Sequence, residues 1–268
     1  MTSFRCVFGV AAVVIAGCSS EVIGPEPGQS EADQTSTQPT ADPQAPPATQ
    51  STPLPSPTGS APPATDPPAP PPTPVTAATL MAKLGACQKV SSAPYAKDAG
   101  GAATIDVCGL KNAVWFTADM DIDCDGKQSA VCNKSTDASY QSQTATTDSK
   151  GAYLDAATLP FVVVPGVSTR WSYKTSGIAM GTVVAVIYNG KVEYGIVGDV
   201  GPTSIIGEAS YAMAKNLGIN PNPSTGGTSS GVTYIFFTGP TGEVVKNEDH
   251  AEAVSVGQKR AAQFLSEN

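Results

Sequence analysis

A single histidine, His250, serves the whole chain of 268 residues, and that scarcity removes several chemistries at once. A Ser-His-Asp triad has no base in a recognisable setting, and a histidine-based zinc site has nothing to draw on. No two cysteines form a C-x-x-C pair, and no glycine loop runs into the Lys-Ser or Lys-Thr that would cradle a nucleotide phosphate. Aromatic residues, lysine and arginine are all missing from residues 21–76, which hold 17 of the 24 prolines in a background of Ala, Thr, Ser and Gln. Such a stretch cannot bury enough apolar surface to offset the entropy of ordering it, and its prolines bias it toward an extended spacer. One folded domain is therefore expected, over residues 77–268.

The residues before the spacer read as an address. Arg5 supplies a minimal positive region, and the apolar run Val7 to Ala16 is too short to span a bilayer as a mature helix. Ile15-Ala16-Gly17-Cys18 resembles the lipobox of bacterial lipoproteins, which implies a signal peptide at 1–17 and a lipid on Cys18; an ordinary secretory leader is the alternative. The spacer, 18–76, would then hold the domain off an envelope surface, outside the cell, with the lipid as its one link to a membrane. Cysteine arithmetic agrees with export: Cys87, Cys108, Cys124 and Cys132 remain, an even number suited to an oxidising compartment. Of three possible pairings, Cys87 with Cys108 and Cys124 with Cys132 close the shortest loops.

The net charge of −8 divides unevenly. Residues 21–76 carry six acids and no base, and the domain from 77 onward has 14 Lys and Arg against 17 Asp and Glu, a net of −3. Within the domain, four aspartates, Asp119, Asp121, Asp123 and Asp125, fall in seven positions. That density repels a phosphate backbone, so nucleic acid is not an expected partner, and it attracts a cation.

Periodicity describes a small β-rich domain. Ala77 to Gly85 has helical spacing, Ala113 to Ala118 and Phe161 to Val164 read as strands, and Thr182 to Tyr188 with Val192 to Val197 flank Asn189-Gly190, a strong hairpin signal. Glu208 to Leu217 reads as a helix stopped by Gly218, Val232 to Phe237 as a buried strand, and Ala251 to Leu265 as a closing amphipathic helix. Short strands with a helix after a tight Gly-Pro turn suggest a small barrel. Trp115, Trp171, Tyr173 and Tyr188 have sugar-stacking chemistry, but aromatic residues on barrel strands more often belong to the core.

Two acids stand on either side of a chain reversal. Asp199 follows the β-rich run that Gly201-Pro202 should stop, and Glu208 heads the next element. Two carboxyls delivered to one place suit glycoside hydrolysis, where one protonates the leaving oxygen and the other activates water or attacks the sugar. As structural residues, Asp199 would be a turn acid and Glu208 an acid offsetting a helix dipole. Asp121, Asp123, Asp125 and Gly126 also match the first half of a calcium loop, but Cys132 stands where the bidentate Glu belongs. If the strand from Ala113 continues to Asp123, then Asp119, Asp121 and Asp123 share one face.

The combination of ADMDIDCDG at Ala118 to Gly126, LPFVVVP at Leu159 to Pro165, and YNGKVEYGIVGDVGPTSIIGEASYAMAKNLGINPNPSTGG at Tyr188 to Gly227 closely resembles the fungal-type chitosanases of glycoside hydrolase family 75. The stretch GDVGP followed by GEAS also resembles the central motif of double-psi β-barrels, as in family 45 cellulases, expansins and rare lipoprotein A. The resemblance implies a mainly β, six-stranded double-psi-like barrel with a few peripheral helices, stapled by disulfides. It implies inverting endo-hydrolysis of β-1,4-linked glucosamine polymers, with Asp199 and Glu208 as the two acids, Glu208 taken as proton donor and Asp199 as base. Asp119, Asp121 and Asp123 are then candidates to bind the ammonium groups of chitosan. No cofactor or metal is expected, and a monomer is. The alternatives are a wall-binding barrel without hydrolytic activity and a calcium-stabilised adhesion module.

Overall fold

The computed structural model describes residues 73–268; the expected leader, the expected acylation at Cys18 and the expected spacer up to residue 72 lie outside the described residues. In chain order the elements are α1 (Ala77–Ala82), β1 (Gln88–Lys89), β2 (Cys108–Leu110), β3 (Ala113–Asp123), β4 (Phe161–Pro165), a 3-10 turn at Lys174–Ser176, β5 (Val183–Tyr188), β6 (Lys191–Gly201), β7 (Glu208–Ser210), α2 (Tyr211–Leu217), β8 (Thr228–Phe237) and α3 (His250–Glu267). The strands pair in the order β1-β2-β3-β7-β4-β6-β5-β8, and β8 returns to pair with β3. Six strands therefore close on themselves, and β1 and β2 hang on the outside of β3.

Closure is achieved by two parallel pairs, β3 with β7 and β4 with β6, among antiparallel neighbours. The β5–β6 hairpin turns at Asn189 and Gly190, both in the left-handed region with φ of 47° and 78°, as a two-residue turn between twisted strands requires. Inward residues fill the barrel: Phe116, Met120 and Ile122 of β3, Val162 and Val164 of β4, Val184 and Val186 of β5, Tyr234 and Phe236 of β8. One outer wall is covered as well. There α1 and α3 press Leu80, Ala261, Phe264 and Leu265 onto Ala113, Ala185, Ile187, Ile235 and Phe237, each large side chain contributing roughly 1.5–3 kcal/mol of burial. Asp249 caps α3 by accepting from the Glu252 amide at 3.0 Å.

Two expectations are corrected. The run Glu208 to Leu217 is not one helix. Glu208 to Ser210 is strand β7, wedged between β3 and β4, and α2 begins only at Tyr211, with the Ser210 hydroxyl as its N-cap on Met213. Barrel closure needs those backbone groups, and this overrides their helical pattern. Likewise β6 does not end before Gly198; it runs through Gly201, and only Pro202 stops it. Cys87–Cys108 and Cys124–Cys132 are the disulfides, and no helix among the described residues is long and apolar enough to cross a membrane.

Candidate active site

Elsewhere on the outer wall the strands carry acids. The register sets Asp121 of β3 beside Glu208 of β7, Glu208 beside Val163 of β4, and Val163 beside Asp199 of β6. Residues paired across strands point to the same face. Because Val162 and Val164 point into the barrel, Asp121, Glu208, Val163 and Asp199 form one row pointing out. Asp199 reaches this face through a bulge. Val162 pairs with Val197 and Val163 with Asp199, so Gly198 is an extra residue; regular alternation through Val197, Gly198 and Asp199, with no bulge, would turn Asp199 into the core.

Asp199 is held firmly. It is 8% exposed, and its Oδ1 accepts from the amides of Ala145 and Val200, each at 2.7 Å. Burial raises its pKa, and those two amides oppose the rise. Glu208 leans across β4: a Cβ on Gly201 would stand 2.8 Å from Glu208 Oε2 and 3.0 Å from Val163 Cγ1. Glycine at 201 therefore leaves room for the carboxyl beside β6, two residues along the same face from Asp199.

The aspartate run of β3 divides between two places. Asp123 and Asp125 join Asp199 in a trio whose carboxylate oxygens lie within 4.8 Å of one another. Burial, then Asp125, Asp199 and Glu208, push Asp123 well above the ordinary carboxylate range. Burial, with further help from Asp199 and Asp137, takes Asp125 up to about 7, although the Gln141 amide donates to it at 2.6 Å. Asp125 follows Cys124, so the Cys124–Cys132 bridge holds the loop that carries it. Asp119 and Asp121 instead meet Asp98 in a second trio of the same span. Asp119 is 4% exposed, and its Oδ1 has no hydrogen-bond partner among the described residues. Burial first and Asp121 second raise its pKa to about 7.

The expected grouping of Asp119, Asp121 and Asp123 on one strand face is thus present, but its ends serve different clusters. Asp98 and the Ala145 amide were missed, since neither lies in a patterned stretch; only the acidity of β3 hinted that further acids would gather. Trp171 and Tyr173 belong to the interior cluster with Tyr188 packed on it, and Trp115 packs against the outer one. His250 is partly buried at the head of α3, with Nε2 2.8 Å from Glu193 Oε1 and 3.1 Å from the Tyr194 carbonyl. Gly227 to Gly231 spells G-T-S-S-G, the letters of a nucleophile elbow. It runs into β8 instead of turning from a strand into a helix.

The molecule is thus a closed six-stranded barrel with a row of carboxyls on one outer wall. Residues 120–265 match the family of fungal chitosanases of glycosyl hydrolase group 75, and the chain belongs to that family. It is 39% identical over 129 residues to endo-chitosanase C of Aspergillus oryzae, covering 46% of this chain and 31% of that one. With endo-chitosanase B of the same fungus it shares 33% over 159 residues, 53% of this chain and 66% of the relative. With the endo-chitosanase of Aspergillus fumigatus it shares 31% over 177 residues, 58% and 71% respectively. The chain thus spans about a third of the first of these relatives and about two thirds of the second.

Proposed function

We propose that the domain is an endo-acting chitosanase that cleaves β-1,4 linkages of polyglucosamine with inversion, using Glu208 and Asp199. The observation that carries this reading is the outward row in which Glu208 and Asp199 flank Val163. Glu208 leans to a point beside Gly201, two residues from Asp199, a step of roughly 6.5–7 Å along a strand. Inverting glycosidases keep their carboxyls about 6.5–9.5 Å apart so that a water fits between the base and the anomeric carbon.

In this mechanism Glu208 gives its proton to the glycosidic oxygen as the bond from that oxygen to the anomeric carbon breaks. Water attacks the anomeric carbon from the opposite face and yields its proton to Asp199. The two amides on Oδ1 favour the ionised form of Asp199 and leave Oδ2 to orient that water. A carboxyl in the first turn of a helix would be held ionised by the dipole and so would be a poor proton donor; Glu208 lies in β7, ahead of that turn. Asp121 and Asp123 crowd the same wall, and like charges favour a proton retained within the group.

Asp119 and Asp121 supply negative charge to the ammonium groups of the polymer, and Asp123 shapes the protonation of the pair. The two disulfides suit an exported domain; we place it outside the cell as a monomer, tethered to an envelope by lipid on Cys18 and the proline-rich spacer. The test is release of reducing ends from chitosan by the full chain, by Asp199→Asn and by Glu208→Gln. The reading predicts turnover by the native chain and its loss in both variants with unchanged circular dichroism. Retention on polysaccharide without any product would replace it with a binding barrel.

A further inference from the structure

Two amides donate to Asp199 Oδ1, each at 2.7 Å, and they are fixed in unlike ways. Val200 belongs to β6 and pairs with Val164 of β4, so its amide is set by the barrel. Ala145 lies in no strand or helix and is exposed to solvent, yet its amide reaches the same oxygen from 54 positions away along the chain. A donor on an exposed loop is only as constant as the attachments of that loop.

Those attachments differ on the two sides of Ala145. On one side Thr144 is buried, its hydroxyl accepting from the Leu154 amide at 3.1 Å and donating to the Thr146 carbonyl at 2.7 Å. These bonds, like the Thr147–Tyr153 bridge and the turn closed on Asp148 Oδ1 by the amides of Lys150 and Ala152, join the loop to itself. On the other side the tie runs to the body of the domain. Asn247, in the segment between β8 and α3, donates from Nδ2 to Thr146 Oγ1 at 3.0 Å and to the Thr147 carbonyl at 2.9 Å; further out, Glu248 accepts from the Ser149 amide at 3.0 Å. The segment is anchored in turn. The Val244 amide donates to the Gly181 carbonyl at 3.1 Å, and Glu252 of α3 accepts from the amides of Val245 and Lys246 at 3.0 and 3.1 Å. Glycine at 181, with φ of 83°, leaves the seat for the side-chain amide, since a Cβ there would stand 2.7 Å from Asn247 Oδ1.

Resting on the hydrolase reading above, we infer that Asn247 is a positioning residue for the reaction: it acts through Thr146 and Thr147, holding the Ala145 amide on Asp199 Oδ1 so that Oδ2 stays aimed at the attacking water. Burial raises the pKa of Asp199, and the amides of Val200 and Ala145 oppose the rise. Freeing Ala145 takes away one of the two opposing donors, so Asp199 then ionises only at higher pH. The other charged groups around it are Asp123 and Asp125, with oxygens within 4.8 Å, Glu208 in the same outward row, and Lys174 and Glu243, which border the same cavity as Ala145 and Val200. A change at 247 alters none of them.

The experiment compares the full native chain with Asn247→Ala by carbon NMR titration of the aspartate carboxyls, with Asp199 assigned through Asp199→Asn, by hydrogen exchange, and by the pH profile of kcat/KM on chitosan. Asp199 should titrate about 0.5–1 unit higher in the variant, and the acid limb of the profile should move up with it. Below that limb kcat/KM then falls by about 3–10-fold, and it recovers above. Amide exchange over residues 144–148 should quicken by about tenfold or more, with β6 unchanged. Thr146→Val removes one of the two acceptors and should shift the limb less in the same direction, which keeps the inference testable if Asn247→Ala does not fold. A lower Tm with an unmoved Asp199 titration and an unmoved limb would make Asn247 a structural tie only and overturn the inference, leaving the hydrolase reading intact. Failure of the native chain to release reducing ends would remove that reading, and with it the reaction Asn247 serves, whatever the titration shows.

Discussion

The two outer walls of the barrel do opposite things with the same strands. On the wall under α3, outward residues such as Ala113, Ile187, Ile235 and Phe237 are apolar and sealed by Phe264 and Leu265. On the other wall, positions of the same kind carry Asp121, Asp123, Asp199 and Glu208. A single strand shows the switch: the outward face of β3 begins at Ala113 and Trp115, against the helices, and ends at Asp119, Asp121 and Asp123. The first wall holds the fold together, and the second packs like charges at a cost to stability. Stability and chemistry are therefore separable, and substitutions should divide accordingly.

The largest separation is expected at the poles. Asp199→Asn and Glu208→Gln should each lower kcat/KM on chitosan by on the order of 10³-fold or more with little change in Tm. Phe264→Ala should cost about 3–5 kcal/mol of unfolding free energy, read by denaturant titration, while leaving the rate per folded molecule intact. A smaller and more pointed effect belongs to Gly201→Ala. Its Cβ would fall 2.8 Å from Glu208 Oε2, so the carboxyl must move, and kcat should drop by roughly 10–100-fold.

The disulfides sharpen the contrast further. Replacing Cys124 and Cys132 by serine opens the loop of Asp125, and replacing Cys87 and Cys108 removes the covalent link between the start of β1 and β2. The chain-entropy cost is similar for the two, about 2.5–3.5 kcal/mol. Only the first should also lower kcat, in a steady-state assay kept well below Tm.

The smallest effect is a slope. Burial raises the pKa values of Asp119 and Asp125 to about 7 from the ordinary aspartate value of 3.8, so the folded chain binds protons more tightly than the unfolded one. Their protonation favours the fold below about pH 4, and stability falls as pH rises from about 4 to about 7. Thermal melts across that window should show Tm declining by several degrees, and Asp119→Asn should flatten the decline and raise Tm at pH 8.

Much of this was legible before the fold. Asn189-Gly190 specified its hairpin because the left-handed φ of both residues is a local requirement. The disulfide pairs followed loop length, and GDVGP with GEAS singled out Asp199 and Glu208. What the chain order hid is what barrel closure decides. Glu208-Ala209-Ser210 has the local pattern of a helix start, and it becomes a strand only because β3 and β4 offer it partners on both sides. The bulge at Gly198 was invisible for a like reason: nothing local tells a strand's end from an extra residue within it. Asp98 lies far along the chain from Asp119, and their meeting is a tertiary fact.

The central claim is that Glu208 and Asp199 stand far enough apart for a water to work between them. Proton NMR of the first product, recorded during digestion of a defined β-linked glucosamine oligomer, tests it most directly. The geometry predicts that the new reducing end appears first as the α-anomer and reaches the β-anomer only by mutarotation. A first product in the β form would mean a covalent intermediate on one of these carboxyls and would contradict the account.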